Sequence, residues 1–291
     1  MKYILLICLI ILNLEANEQL YGNGFDDREI LNYNNEIKFI YKDMNNYAYT
    51  NEKLFDIYKE DGGLMKVKNI FFTNSDKTLA ILVGTYNSLK APPDDPCDKL
   101  FAVWYNLHVY KKYNDFMLKL LINDDEFNGH DGMVGCNNVA FLYKTKEAIE
   151  KKLNEINISN NVVLNSLEEF VKKNYAKKYD SLFTLKDSSF DIGALKEILN
   201  EVPISTKTLT QYNDIAYYLE QANANDEAIY LLEKIIEKYP NRIVAYYNLG
   251  DAYWDDGDKL KAKQAYKKYI ELMTNADKEK KIPQIVKDRA K

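Results

Sequence analysis

Histidine and cysteine are scarce in this 291-residue chain, which has two histidines and three cysteines. No spacing of these residues suits a metal site, because such a site needs several ligands that converge. The chain also lacks a phosphate-binding glycine loop, a G-x-S-x-G turn and an HExxH helix. We therefore expect no metal, no cofactor and no catalytic residue, although a triad scattered along the sequence leaves no such motif.

Basic residues are fewer than acidic ones. The chain has 39 Lys and Arg against 44 Asp and Glu, for a net charge of −5. Proteins that bind nucleic acids usually carry a basic patch or stripe. The acidic balance therefore predicts that nucleic acid is not a partner.

A single apolar run, at the amino terminus, is the closest approach to a membrane segment. Residues 3–12 are apolar, follow Lys2 and precede the small residue Ala16. A spanning helix needs about 20 such residues, whereas a charged start and a short apolar core are typical of a secretory signal peptide. We predict that residues 1–16 are a signal peptide and that the mature protein is periplasmic or secreted, without membrane insertion after cleavage. The alternative is a membrane anchor.

Cleavage there would remove Cys8 and leave Cys97 and Cys136. An even number of cysteines in an exported protein favours a disulfide. The alternative is a reactive or metal-binding pair.

Residues 17–145 show short runs in which apolar and polar residues alternate, which predicts a β-rich domain. Residues 51–59 permit a helix. The acidic stretch 124–132 is predicted to be a solvated turn, because Gly135 stands where a calcium loop needs its glutamate. The predicted strands are residues 67–72 paired with 79–86, residues 101–109 paired with 116–122, and residues 139–143.

The pattern becomes helical after residue 145. Helices are predicted at 147–156, 164–178 and 191–200, with a loop at 157–161. We interpret residues 146–208 as a helical connector.

Residues 209–274 hold two copies of one pattern, offset by 34 residues. Small residues recur at Ala216 and Gly250, and again at Ala228 and Ala262. Bulky apolar residues three, four or seven positions away would fill the space between closely packed helices. The breaks between helices are predicted at Asn225-Asp226, at Asp256-Gly257-Asp258 and at Pro240.

This pattern resembles the tetratricopeptide repeat (TPR) family. The resemblance implies two stacked helical hairpins over residues 209–274. Pro283 suits the first turn of a helix, so residues 283–290 are predicted to form a capping helix with Ile285 and Val286 facing the array, which completes a helical region over residues 209–291. The fold class predicted for the whole chain is α+β, with a mainly antiparallel β domain followed by the helical array.

The resemblance also implies that the first helix of each hairpin lines a groove that binds a protein or peptide. Aromatic and acidic side chains at these positions would suit a partner with an apolar anchor and basic flanks. The predicted groove residues are Asn213, Tyr217, Glu220 and Gln221 in copy one, and Tyr247, Asp251, Trp254 and Asp255 in copy two. The alternative is that the protein's own helices fill this groove.

The function predicted from these features is that of an exported, non-enzymatic interaction protein. One alternative is a periplasmic immunity-type protein that neutralises a toxin. Another is an enzyme in the β domain, with a site around Trp104, His108 and Tyr110 and with the repeats as a docking arm.

Opposite charges separate along the C-terminal part of the chain. Residues 277–291 contain six basic and three acidic residues, whereas residues 209–274 contain eight basic and eleven acidic ones. These charges either solvate their own surfaces or dock the tail on the array.

Overall fold

A computed structural model describes most of the chain beyond residue 29. The predicted signal peptide and the acidic residues 124–126 lie outside the described residues. The described ranges are 30–33, 36–42, 45–59, 65–73, 77–89, 97–98, 100–122, 127–156, 158–176 and 188–291.

The chain divides into two compact units. The first contains the residues up to Tyr110 together with Asn123–Asn157, and the second contains Lys111–Ile122 and Ile158–Lys291. The helix that follows residue 145, which we assigned to the connector, therefore belongs to the first unit.

The first unit begins with an antiparallel meander of four strands in sequence order. A helix over residues 51–59 is a wrong prediction, because this segment forms a strand. Asn51 and Glu52 both adopt positive φ, at 46° and 64°, and they make a two-residue turn that pairs Thr50 with Lys53. Such turns match the twist of the flanking strands. The strands are β1 (Ile30–Tyr33), β2 (Ile37–Lys42), β3 (Asn45–Thr50) and β4 (Lys53–Lys59).

A second sheet has the strand order β10-β9-β7-β6-β5, and β8 pairs with β7. The hairpins of β5 with β6 and of β7 with β8 confirm the two predicted pairs. The strands are β5 (Met65–Phe72), β6 (Thr78–Leu89), β7 (Leu100–Tyr113), β8 (Phe116–Lys119), β9 (Asn128–Val134) and β10 (Asn137–Val139).

Two predictions around β9 are wrong. Residues 128–132 belong to a strand and not to a solvated turn, and the strand expected at 139–143 ends at Val139. The glycines of β9 weaken its propensity, but its pairing with β7 and β10 overrides this. At Gly132, φ is +132° and a Cβ atom would lie 2.6 Å from the Phe101 carbonyl oxygen, so this strand requires glycine there.

The predicted disulfide joins Cys97 to Cys136, with 4.8 Å between the Cα atoms. The pairing of β7 with β9 explains why these cysteines meet. Leu100 is opposite Val134, and the cysteines lie just before the first of these residues and just after the second. The disulfide therefore closes one end of this ladder.

Among its described residues, the second unit consists of helices, their connections and the hairpin formed by residues 111–122. The connector helices are confirmed, although the second begins at Asn160, so the loop predicted at 157–161 is shorter. The ring of Phe116 lies 4.9 Å from that of Phe170 and 5.1 Å from that of Phe190, which anchors the hairpin among the helices. The helices, the first of which belongs to the first unit, are α1 (Lys146–Ile156), α2 (Asn160–Ala176), α3 (Ile192–Glu201), α4 (Leu209–Gln221), α5 (Asn225–Lys238), α6 (Ile243–Asp256), α7 (Lys259–Asn275) and α8 (Gln284–Arg289).

None of the helices in the described ranges combines the length and the apolar character that a membrane crossing requires.

Candidate partner-binding groove

Four helices form two successive hairpins, α4 with α5 and α6 with α7. Helix α6 also packs against α5 and α4, so the second hairpin stacks on the first. The small residues at the repeat positions are buried, as the close approach of the helices requires. This arrangement confirms the stacked hairpins expected from the 34-residue pattern.

Gly250 on α6 leaves no space for a side chain against α7. A Cβ atom at this position would lie 2.4 Å from the ring of Tyr266, which is completely buried. In the first copy, the corresponding pair is Ala216 and Leu232. Compared with the first copy, the second copy thus has a smaller residue on its first helix and a larger side chain on its second helix.

The helix boundaries follow the local sequence. Gly257 adopts φ +94° after α6, and the Asp258 side chain accepts a hydrogen bond from the Lys261 amide at 3.1 Å to begin α7. Pro240 follows the end of α5, as predicted. The break between α4 and α5 lies at residues 222–224, where Asn223 has φ 61°, and not at Asn225-Asp226, which form the first turn of α5.

The eight predicted groove residues differ in exposure. Asn213 and Glu220 are buried, whereas Tyr217 is 41% exposed. Asp255 is exposed, and the remaining four are half-buried: Gln221, Tyr247, Asp251 and Trp254.

Glu220 and Asp255 bring the two repeats together across the groove. The pKa of Glu220 is raised to about 7. Burial is the largest cause, and a hydrogen bond with Asp255 and the negative charge of Asp255 also raise this pKa. The amide of Gln221, which donates to Glu220 Oε2 at 2.7 Å, opposes this change. Glu220 therefore keeps its proton to a higher pH than an exposed glutamate does.

Asp251 and Trp254 contact a residue from the basic C-terminal tail (residues 277–291). Arg289 Nη1, on α8, lies 3.0 Å from Asp251 Oδ1, and the guanidinium carbon lies 4.5 Å from the centre of the Trp254 ring. Tyr266 donates a hydrogen bond to Asp251 at 2.5 Å and accepts one from Arg289 at 2.9 Å. Burial raises the pKa of Asp251, and Tyr266 and Arg289 counteract this rise. The tail therefore docks on the array.

Asn213 is a buried polar residue on the same helix face as Tyr217 and Glu220. Its Oδ1 atom has no hydrogen-bond partner among the residues that the structure describes. A buried acceptor of this kind costs free energy unless a donor satisfies it.

The comparison with protein families identifies this segment. A family model described as tetratricopeptide repeat matches residues 214–242 and 244–272. These are tetratricopeptide repeats. The TPR match lies within the helical unit and does not include the N-terminal region. No curated protein matches the chain.

The connector helix α2 packs against α4, the first TPR helix. Gln211 Nε2 donates to Asn165 Oδ1 at 2.9 Å and to Glu168 Oε2 at 2.7 Å. Lys172 Nζ lies 5.3 Å from the centre of the Tyr218 ring. The connector thus supplies a packing partner that two repeats alone lack.

Sequence reasoning missed three contributors to the TPR site, namely Arg289, Tyr266 and Lys259. Lys259 Nζ lies 4.0 Å from the centre of the Trp254 ring. The basic composition of the tail was a signal for Arg289, but it did not select a residue. Tyr266 occupies a conventional core position of the repeat pattern, so nothing distinguished it. The prediction that Ile285 faces the array is wrong, because Ile285 is exposed and Val286 is buried.

The alternative site in the β domain is a packed cluster. Tyr110 is completely buried and donates a hydrogen bond to Asp56 at 2.5 Å, and its hydroxyl lies 2.8 Å from that of Tyr58. The ring of His108 lies against that of Tyr58, with centroids 4.8 Å apart and planes tilted by 37°. Trp104 instead contacts His130, at 4.5 Å. Burial raises the pKa of both tyrosines well above the usual value, so they act as neutral hydrogen-bonding groups.

The raised pKa of Glu220 leads to a pH dependence of stability. The pKa of this group rises from 4.5 to about 7 on folding. Folding therefore retains a proton that the unfolded chain releases, and this contribution to stability is complete below pH 4.5 and is lost as the pH rises to 7. After allowance for solvent screening, we expect a loss of about 1–2 kcal/mol over this window. Glu220→Gln should abolish that part of the dependence, as measured by urea unfolding at a series of pH values.

Glu237→Gln provides the matched control for this experiment. Glu237 lies on α5, is exposed and pairs with Lys234, and its pKa is lowered by that lysine. The control variant should keep the wild-type slope between pH 4.5 and 7. An unchanged slope in Glu220→Gln would show that this carboxyl group does not carry the proton.

Proposed function

We propose that the protein acts outside the cytoplasm as a non-enzymatic interaction protein that binds a polypeptide through the TPR groove. The observation that carries this proposal is the pair of stacked TPR hairpins, because repeats of this family generally bind other polypeptides. The groove residues combine aromatic rings with carboxylates, a composition that suits a partner with an apolar anchor and basic flanks.

The proposal of export rests on two features. The first is the sequence of residues 1–16, with Lys2 followed by a short apolar run. The second is the Cys97–Cys136 disulfide, because disulfides persist mainly in oxidising compartments. Export also sets the condition of the binding experiment, which has to be carried out without reductant.

Affinity capture with the full chain tests this function. Trp254→Ala is expected to reduce recovery of the partner at least about tenfold, since aromatic residues at the centre of an interface often dominate its energy. Leu260→Ala is the matched control, because Leu260 is an apolar residue of the same repeat that is 70% exposed and outside the predicted groove. Equal recovery with both variants would contradict the assignment of the groove.

A further inference from the structure

Arg289 occupies a position that is built to recognise a guanidinium group. It pairs with the Asp251 carboxylate, donates to the Tyr266 hydroxyl and stacks on the Trp254 ring. A carboxylate, a hydrogen-bond acceptor and an aromatic face are the three kinds of partner that arginine uses best. We call Asp251, Trp254 and Tyr266 the arginine subsite.

The ion pair of the arginine subsite is partly exposed to solvent, whereas Tyr266 beneath it is buried. The side chain of Arg289 is 23% exposed and that of Asp251 is 26% exposed. A fully internal ion pair would be shielded from water and from incoming molecules. An arginine from outside can therefore reach the same carboxylate once Arg289 has left it.

The helix that carries Arg289 is short and buries few side chains. Helix α8 is six residues long. Val286 and Ala290 are buried, whereas Ile285 is 52% exposed. A short segment with few buried side chains opens at a lower free energy than the repeat helices do.

Negative charge remains in the groove beyond the part that Arg289 neutralises. Glu220 and Asp255 share the groove with Asp251, and no lysine or arginine in the described ranges forms an ion pair with either of them. A basic segment of a partner would therefore gain attraction from all three carboxyl groups, whereas Arg289 alone pairs with one.

We infer that the arginine subsite binds an arginine side chain of the partner. In the free protein Arg289 occupies this subsite, and the partner binds by replacing Arg289 on Asp251 and Trp254. This inference rests on the proposed function, since it gives the chemistry of the partner for the same groove. Helix α8 thereby acts as an internal competitor. Removal of the Arg289 side chain makes the subsite available.

The test uses the full chain with Trp104→Phe, which leaves Trp254 as the single tryptophan. The probe is the peptide acetyl-Gly-Arg-Gly-amide, and its control carries citrulline, a neutral analogue, in place of arginine. In the Arg289→Ala variant, the arginine peptide should change the Trp254 emission in a saturable way and bind at least about tenfold more tightly than the citrulline peptide. The parent with Arg289 should show no saturation over the same concentrations.

Lys287→Ala is the matched control variant. It removes one positive charge from the same helix and leaves Arg289 on the subsite, so it should behave like the parent. Arg289→Gln is a second variant that keeps most of the side-chain stem, for use if Arg289→Ala does not give a folded circular dichroism spectrum. Equal affinities for the two peptides, or equal affinities of the parent and the Arg289 variants, would overturn the inference.

These outcomes separate the inference from the proposed function. If Trp254→Ala abolishes partner capture but the two peptides bind alike, the groove binds a partner and the arginine subsite is wrong. If the arginine peptide binds selectively but capture is insensitive to Trp254→Ala, the subsite exists and the proposed function fails.

Discussion

Replacement of Cys97 and Cys136 by alanine is expected to lower the free energy of unfolding of the first unit by about 4 kcal/mol. The disulfide joins residues 39 positions apart, and a cross-link of that span removes many conformations from the unfolded chain. It also closes the ladder between β7 and β9, where the glycines of β9 contribute little strand propensity. The cross-link therefore stabilises the part of the sheet with the weakest local preference.

Tryptophan fluorescence can assign this loss to one unit. Trp104 belongs to the first unit and Trp254 to the second. In urea, the transition reported by Trp104 should shift more than the one reported by Trp254, in variants that retain one tryptophan each. A shift confined to Trp254, or no shift in either, would contradict the stabilising role of the disulfide.

Gly250→Ala is expected to destabilise the TPR array by about 2–3 kcal/mol. The new methyl group would overlap the ring of Tyr266, which is buried and hydrogen-bonded to Asp251. Overpacking of such a site costs about 1–3 kcal/mol and occasionally more, and contact with several ring atoms puts this site at or above the upper end. The better helix propensity of alanine returns about 1 kcal/mol.

A double-mutant cycle measures the cause of this loss. Tyr266→Leu together with Gly250→Ala gives the second repeat the same Ala–Leu pair that the first repeat has at Ala216 and Leu232. Gly250→Ala should therefore cost much less in the Tyr266→Leu background, with a coupling of at least about 1.5 kcal/mol in urea unfolding. The same cost in both backgrounds would show that the overlap with Tyr266 is not responsible.

The TPR helices could be predicted from the sequence because local signals and packing agree there. Small residues and bulky apolar residues recur at one period, and only the break between α4 and α5 was misplaced, since it lies at residues 222–224 and not at Asn225-Asp226. Strands β4 and β9 show the opposite case. In β4, the apolar pattern permits a helix, but the segment forms a strand because the turn at Asn51-Glu52 pairs it with β3. In β9, the sequence is polar and rich in glycine, and only its neighbours in the sheet make it a strand.

The groove could be predicted in part. The helical period places Asp251 and Trp254 on one face, but it cannot show that Arg289, 38 residues after Asp251, returns to that face. The pairing of Glu220 with Asp255 likewise depends on how the two hairpins stack. Such contacts between distant residues arise from tertiary packing, for which a single sequence carries no periodic signal.

Site-specific photocrosslinking tests the central claim most directly. A benzophenone amino acid in place of Tyr217, which is exposed on the first helix of repeat one, should crosslink the partner when the full chain is irradiated in the cells that produce it. The same group in place of Leu260, also exposed but outside the groove, should give little of that product. A partner that crosslinks at position 260 and not at 217 would contradict a polypeptide-binding groove on these repeats.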